Sequence, residues 1–244
     1  MRVLAFAFAL ALAAPAASAQ IMSAGPLRPA TASPPADDAP QVVYRFQPSW
    51  GTPRGISGRS GSHVKEGRAD HRWSSTSPLF RIEMGEKSDK PCMIRMFWSW
   101  HTGHNDSDVF ESCSGSATSR SKRRVGASSV PQGSPRAAIR GLQVCSNNRN
   151  GSQYRVKGLR VWMATVTETG DGVVTNGGRE EFERANCRRW ETRRMCPAGE
   201  VVVSLDVHYQ QNANGPEEIT GLAPRCAAPY RHTVETQECR AGGC

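Results

Sequence analysis

The stretch HTGHNDSD, residues 101–108, holds the densest group of side chains with coordinating atoms. It supplies two imidazoles and two carboxylates, from His101, His104, Asp106 and Asp108. These groups bind metal ions or hydrogen-bond sugar hydroxyls, but they are also common on solvated loops. We expect a solvated loop, with a metal or sugar contact as the alternative. For the chain as a whole we predict no metal site and no cofactor.

Tryptophan residues beside this stretch offer a second kind of binding group. Trp98 and Trp100 alternate along an apolar run, so in a strand both side chains point to one face. Aromatic faces stack on sugar rings and are common in ligand sites. We predict that both residues belong to a ligand-binding wall, with burial in the core as the alternative.

The basic stretch RRWETRR, residues 188–194, is the third candidate. In a strand, alternation places Arg188, Trp190 and Thr192 on one face. Guanidinium groups bind carboxylate, phosphate and sulfate in a bidentate manner. The whole chain has 31 basic against 22 acidic residues and a formal net charge of +9. These features predict an anionic glycan or an envelope surface as the partner.

Catalytic motifs are weakly represented. The chain lacks a G-x-S-x-G nucleophile elbow, and its cysteines are expected to be oxidised. A pair of carboxylates would suffice for glycoside cleavage if the spacing were right. The candidates are Asp106, Asp108, Glu111, Glu180, Glu181 and Glu183. We therefore favour a non-catalytic role and keep a small secreted hydrolase as the alternative.

Residues 1–19 have the features of a secretory signal peptide. Arg2 precedes an apolar, alanine-rich run that ends in the small residues Ala17-Ser18-Ala19. The run is too short for a transmembrane helix, and no later segment is sufficiently apolar. We expect export to the periplasm or the extracellular space, no transmembrane span, and no nucleic-acid partner.

Composition divides the remaining chain into three parts. Residues 20–41 are rich in proline and alanine and predict a disordered linker. Residues 42–77 are dominated by glycine, serine and charge after one strand-like run, and we expect little regular structure there. Residues 78–244 contain short β-type runs separated by Gly- and Asn-rich turns, which predicts an all-β domain.

The eight cysteines all follow the predicted signal peptide, which indicates disulfides rather than free thiols. No C-x2-C pair is present, so a zinc site is not expected. The simplest pairing is sequential: Cys92–Cys113, Cys145–Cys187, Cys196–Cys226 and Cys239–Cys244. An alternative joins Cys113 to Cys145 and leaves Cys92 to pair with Cys187.

A short motif occurs three times along the strands, as IRGL, VKGL and ITGL at residues 139–142, 156–159 and 219–222. Glycine inside a strand typically marks a bulge or a close backbone approach, and the following leucine then fills the core. We predict a bulge at Gly158.

Residues 187–226 resemble one sheet unit of the vitelline membrane outer layer protein I family. The matching residues are Trp190, Cys196, Pro197, Gly199, Ile219, Gly221, Leu222 and Cys226. The resemblance implies a β-prism of three pseudo-repeated, disulfide-stapled antiparallel sheet units in an extracellular protein without defined catalytic machinery. Together with the residues above, it predicts an exported module that contacts glycans or the cell envelope. A purely structural or protein-binding domain is a further alternative.

Overall fold

The computed structural model describes residues 41–46, 52–67, 77–99, 105–113, 122–128, 136–167, 174–212 and 215–234. All of them lie in one compact unit, Pro40–Cys244. The predicted signal peptide, the predicted linker up to residue 40, and the cysteines Cys239 and Cys244 lie outside the described residues.

Short runs rich in β-branched and aromatic residues form sixteen strands in the described part of the chain. A 3-10 helix at Gly151–Gln153 interrupts them. The strands are β1 (Gln41–Phe46), β2 (Thr52–Pro53), β3 (Ser57–Gly58), β4 (His63–Gly67), β5 (Leu79–Lys87), β6 (Lys90–Ser99), β7 (Asn105–Glu111), β8 (Arg123–Gly126), β9 (Arg136–Ser146), β10 (Val156–Val166), β11 (Val174–Glu183), β12 (Arg189–Trp190), β13 (Arg194–Met195), β14 (Val201–Asn212), β15 (Gly215–Ala227) and β16 (Pro229–Val234).

Three antiparallel sheets carry most of these strands. The first sheet has the order β7-β6-β5-β8, and the second has the order β11-β10-β9-β12 with β13 also paired to β9. The third sheet has the order β2-β15-β14-β4 with β3 also paired to β15. Strands β1 and β16 pair with each other in a separate two-stranded sheet.

A single large hydrophobic cluster receives side chains from all three sheets. Fully buried members are Ile82 and Ile94 from the first sheet, Leu142 and Val161 from the second, and Leu205 and Leu222 from the third. Three sheets that turn their apolar faces to one shared core make a β-prism. The predicted all-β, disulfide-stapled, prism-like fold is therefore confirmed.

The three Gly-Leu motifs share one backbone device. In each motif the residue before the glycine has no partner in the neighbouring strand, so the strand contains a β-bulge. These bulged residues are Arg140 in β9, Lys157 in β10 and Thr220 in β15. The leucines that follow, Leu142, Leu159 and Leu222, are fully buried in the shared core. The bulge predicted at Gly158 is confirmed, because the register shifts between Val156 and Gly158.

Three disulfides staple these sheets: Cys92–Cys113, Cys145–Cys187 and Cys196–Cys226. They follow the sequential pairing, and the alternative Cys113–Cys145 pairing is wrong. Each closed loop spans 21 to 42 residues, and such a bridge contributes about 2–4 kcal/mol to stability.

The region expected to be poorly regular, residues 42–77, differs from that expectation. Strand β1 pairs with β16, strand β4 extends the third sheet along β14, and β2 and β3 pair with β15. Strands that pair with the third sheet are therefore present before residue 78. The strand-like run at the start of this region corresponds to β1. Local composition does not reveal β2, β3 and β4, because their hydrogen-bond partners lie 138 to 174 residues later in the chain.

In the described part of the chain, no helix has the length and apolar character needed to span a membrane.

Candidate functional site

A polar cleft of about 170 Å³ lies where three connections of the fold meet. They are the turn between β5 and β6, the connection between β9 and β10, and the segment that follows β11. Its lining consists of three arginines, two asparagines and one aspartate: Asp89, Asn147, Arg149, Arg155, Asn186 and Arg188.

The turn between β5 and β6 presents Asp89 to the cleft. Ser88 and Asp89 form a two-residue hairpin connection in which Lys87 pairs with Lys90. Both turn residues have positive φ, at 51° and 63°. Two consecutive left-handed residues suit the right-handed twist of a tight hairpin, and aspartate tolerates that conformation well. The turn thus fixes Asp89 at its tip, where its side chain is 57% exposed.

Lys157, the bulged residue of β10, lies beneath this turn and is fully buried. Its ammonium group donates hydrogen bonds to the backbone oxygen of Asp89 and, at 2.6 Å, to Asp89 Oδ1. Glu86 Oε2 lies 3.5 Å from the same nitrogen. Strict alternation would separate Val156 and Lys157 onto opposite faces, but both are buried here because of the bulge.

This arrangement keeps Asp89 ionised. Partial burial opposes the charge, but the hydrogen bond and charge of Lys157, with a hydrogen bond from Asn186, outweigh it. They hold the pKa of the Asp89 carboxyl below its usual value of 3.8. The cleft therefore presents a hydrogen-bond acceptor at neutral pH.

Arg155 is fixed by a buried carboxylate. Its Nε and Nη2 donate to Glu218 Oε2 and Oε1 at 2.7 and 3.2 Å, and the Glu218 side chain is only 1% exposed. Lys90 Nζ lies 3.4 Å from the same carboxylate. A bidentate contact of this kind sets the plane of the guanidinium.

The connection between β9 and β10 is organised by Asn147. Its Oδ1 accepts hydrogen bonds from the backbone N–H groups of Arg149 and Arg155, at 3.3 and 3.0 Å. Its Nδ2 donates to the backbone oxygen of Gln153 at 2.7 Å. Asparagine stabilises loops in this way by replacing backbone partners. Two guanidinium-bearing residues are thereby held around one amide.

A buried network supports the same connection from below. Tyr154 Oη and Ser146 Oγ both donate to Glu191 Oε1, at 3.1 and 2.6 Å. Burial, followed by the negative charge of Glu191, raises the pKa of Tyr154, so the phenol remains a donor. The guanidinium of Arg59 lies 4.5 Å from the centre of the Tyr154 ring and adds a cation–π contact.

The Cys145–Cys187 disulfide positions the third wall. Cys187 lies between Asn186 and Arg188, so the bridge ties both lining residues to the end of β9. The backbone N–H of Arg188 donates to Ser146 O at 2.8 Å. Asn186 Nδ2 donates to Asp89 Oδ2 at 3.1 Å, which connects this wall to the β5–β6 turn.

The charges of the lining are unevenly neutralised. Asp89 is matched by Lys157, and Arg155 is matched by Glu218. The Arg149 guanidinium donates to the neutral Gln153 side chain at 3.3 Å. Among the residues that the structure describes, neither Arg149 nor Arg188 forms a salt bridge. Within that part of the chain, the cleft therefore has two guanidinium groups without a carboxylate partner.

Of the predicted site residues that the structure describes, Arg188 is the one that lines this cleft. The structure corrects the prediction that Trp98 belongs to a ligand-binding wall. Its side chain is fully buried and its indole N–H donates to Val203 O at 2.9 Å, so Trp98 is a core residue. Trp100, His101 and His104 lie outside the described residues. The predicted wall of Trp98, Trp100 and arginine is therefore not assembled around Trp98.

The remaining predicted residues lie on other surfaces. Asp106 belongs to β7, and Asp108 contacts Lys65 Nζ at 3.4 Å. Trp190 lies beside the guanidinium of Arg160, 3.9 Å from the ring centre, and its N–H donates to Glu183 Oε1 at 3.2 Å. Within the described residues, no group of three His, Cys, Asp or Glu side chains has the geometry of a metal site.

Two of the carboxylates proposed for hydrolysis, Glu180 and Glu181, are engaged in structural contacts. Glu180 Oε2 accepts from the backbone N–H of Gly126 at 2.8 Å, and Glu181 contacts Arg160. Among the described lining residues of the cleft, Asp89 is the only carboxylate. The arrangement is suited to binding a hydroxylated or charged ligand.

Sequence reasoning missed five of the six lining residues. The polar run SNNRNGSQ, residues 146–153, and the turn residues at 88–89 indicate connections between strands. Nothing in their composition shows that these connections meet.

Comparison with known proteins yields structural likenesses alone, since no family model and no curated protein matches this chain. The fold is similar to Calystegia sepium agglutinin, with 9% identity, a TM-score of 0.39, and coverage of 72% of this chain and 95% of that chain. It is similar to frutapin, a lectin from Artocarpus incisa, with 10% identity, a TM-score of 0.40, and coverage of 73% and 98%. It is also similar to a mannose-specific jacalin-related lectin from Morus nigra, with 8% identity, a TM-score of 0.41, and coverage of 73% and 96%. These likenesses are weak, and the prism is defined by the three sheets of this chain and the core that they share.

Proposed function

We propose that this protein is a non-catalytic module that binds glycans through the cleft lined by Asp89, Asn147, Asn186 and three arginines. One observation carries this proposal: the polar heads of six side chains from three connections converge on a single small cleft. Sugar rings offer many hydroxyl groups, and convergent amides, guanidinium groups and a carboxylate are suitable partners for them.

The chemistry of the lining favours binding over glycoside hydrolysis. Hydrolysis typically needs two carboxyl groups on opposite sides of the scissile bond, separated by about 5–9.5 Å. The described lining supplies Asp89, which is hydrogen-bonded to Lys157 and Asn186 and held ionised. An ionised acceptor of this kind orients a ligand but does not protonate a leaving group.

Export is part of this proposal. Residues 1–19 have the pattern of a signal peptide, and three disulfides are stable in an oxidising compartment. We expect the mature protein to begin at Gln20 and to reside in the periplasm or outside the cell. Cell fractionation with mass spectrometry of the native N-terminus tests this, and an intact Met1 in cytoplasmic material would contradict it.

We further propose that this chain belongs to the vitelline membrane outer layer protein I family. It is supported by the motif residues between 187 and 226 and by the Cys196–Cys226 bridge that closes the matched unit. An alignment of homologues tests it, since the matched glycines and cysteines would then recur at these positions.

The binding proposal is tested with a glycan array and two matched variants. Arg188→Ala removes a lining guanidinium that has no structural role in the described residues, whereas Arg124→Ala removes an exposed guanidinium outside the cleft. We expect the first variant to lose array binding and the second to retain it, with unchanged circular dichroism for both. Equal binding by wild type and Arg188→Ala would contradict the proposed site.

A further inference from the structure

We infer that the cleft selects a sugar unit that carries a carboxylate, such as a hexuronic acid within an acidic polysaccharide. This inference rests on the proposed glycan-binding function and specifies its ligand class. It follows from the pairing of charges in the lining, from the chemistry of Asp89, and from the size of the cleft.

The pairing of charges favours an anionic group on the ligand. Arg149 and Arg188 flank the cleft without a salt bridge among the described residues, whereas Arg155 is paired with Glu218, which also contacts Lys90. Each of the two unpaired guanidinium groups offers a fork of donors that matches a planar carboxylate in charge and geometry. Arg155 acts as a positioning residue, since its bidentate contact fixes the β9–β10 connection that carries Arg149.

Asp89 requires hydrogen-bond donors on the same ligand. Its carboxylate is ionised, more than half exposed, and fixed by Lys157 on one oxygen and Asn186 on the other. Sulfate and fully ionised phosphate bring acceptors only, so they would be repelled by this carboxylate. A ligand that satisfies the whole lining therefore combines an acidic group with hydroxyl groups, as a sugar acid does.

The size of the cleft limits how much ligand it contacts. Its volume is about 170 Å³, below the roughly 300–1,000 Å³ of pockets for drug-sized molecules. This space suits one sugar ring rather than an enclosed oligosaccharide. The remainder of a polymer would then extend into solvent from the recognised unit.

The test compares two saccharides that differ only in their acidic groups. A short oligogalacturonate and its carboxyl-reduced counterpart are titrated into the mature protein by calorimetry at low salt, with inorganic phosphate as a third probe. A charge-assisted hydrogen bond contributes about 1.5–3 kcal/mol, so we expect about 10- to 100-fold tighter binding of the acidic form.

Two double variants with the same loss of charge complete the experiment. Arg149→Gln with Arg188→Gln should reduce the affinity for the acidic saccharide to that for the reduced one. Arg124→Gln with Arg179→Gln removes two exposed guanidinium groups outside the cleft and should preserve the difference. Thermal melting of both variants establishes that they are folded.

Each remaining outcome is decisive. Equal affinity for both saccharides, lost on Arg188→Ala, would overturn the selectivity for acids and leave the proposed glycan-binding function in place. Phosphate binding as tight as the acidic saccharide would also overturn it, since the cleft would then be a general anion site. If neither saccharide bound while the array remained blank, both proposals would fail.

Discussion

Strands β10 and β15 carry the same step, a bulged residue followed by glycine and a buried leucine, but they use the bulge differently. In β10 the bulged residue is Lys157, whose buried ammonium binds the turn that presents Asp89. In β15 it is Thr220, whose hydroxyl donates to His208 O at 3.2 Å within the same sheet. One backbone device therefore supports a binding cleft in one sheet and only sheet packing in another.

The comparison separates what the motif specifies from what the variable residue adds. Glycine and leucine determine the close approach of backbones and the filling of the core, and these contributions are common to both strands. The residue before the glycine is free to carry a charge or a hydroxyl, because the bulge removes it from the regular pairing.

The largest effect should come from the shared leucines. Leu159 and Leu222 are fully buried in one cluster, so Leu159→Ala and Leu222→Ala should each lower the free energy of unfolding by about 2–5 kcal/mol. Urea denaturation measures this loss. A cost below about 1 kcal/mol for either variant would show that the two motifs are not equivalent in the core.

The glycines should rank next. A Cβ at Gly221 would lie 2.6 Å from the backbone oxygen of Arg59, and one at Gly158 would lie 2.8 Å from that of Phe182. Gly221→Ala and Gly158→Ala should cost about 1–3 kcal/mol, with the larger cost at Gly221. Gly178→Ala is the matched control, because a Cβ there meets nothing within 4 Å. Its melting temperature should equal that of the wild type.

Substitution of the bulged residues should distinguish the role of the bulge in β10 from its role in β15. Lys157→Met leaves Asp89 without its buried partner and should cost about 1–3 kcal/mol together with a loss of glycan binding. Thr220→Val removes one neutral hydrogen bond and should cost about 1 kcal/mol without affecting binding. Denaturation and the glycan array measure both effects. Equal loss of binding in the two variants would remove the distinction between the strands.

The smallest effect should appear in the pH dependence of stability. Burial lowers the pKa of His208, against a weaker upward influence from Asp206, so the folded protein takes up this proton at lower pH than the unfolded chain does. Stability should therefore fall as pH drops below 6.5 toward the folded pKa, with a slope below about 1.4 kcal/mol per pH unit.

One histidine variant and one acidic range sharpen this prediction. His208→Gln should flatten the slope between about pH 5 and 8. Asp89 should act in a separate range, because its lowered pKa contributes stability that is lost only as pH falls below 3.8. A slope that persists in His208→Gln would assign the titration to another group.

Much of the fold was predictable because its signals are local. Alternation, turn residues and the Gly-Leu steps indicate strands and bulges within a few residues of each other, and the six described cysteines pair sequentially. Strands β2, β3 and β4 were missed because their partners are distant in sequence. Trp98 was misassigned because alternation shows that two residues share a face but not which face the core covers.

The cleft was not predictable for a related reason. Asp89, Asn147 and Arg188 are separated by 58 and 41 residues along the chain and meet only because three connections lie at one place in the prism. Polar residues in a turn have the same composition whether they face open solvent or a cleft. Arg188 was found because a tryptophan and further arginines surround it in the sequence.

The pairing of β1 with β16 has a mechanical consequence. Gln41 is opposite Val234, and the register runs antiparallel from there to Phe46 and Pro229. A force applied through residues 41 and 234 therefore loads the inter-strand hydrogen bonds of this pair one after another rather than all together. In single-molecule stretching, this pair should peel open as a zipper at low force before the three-sheet body yields.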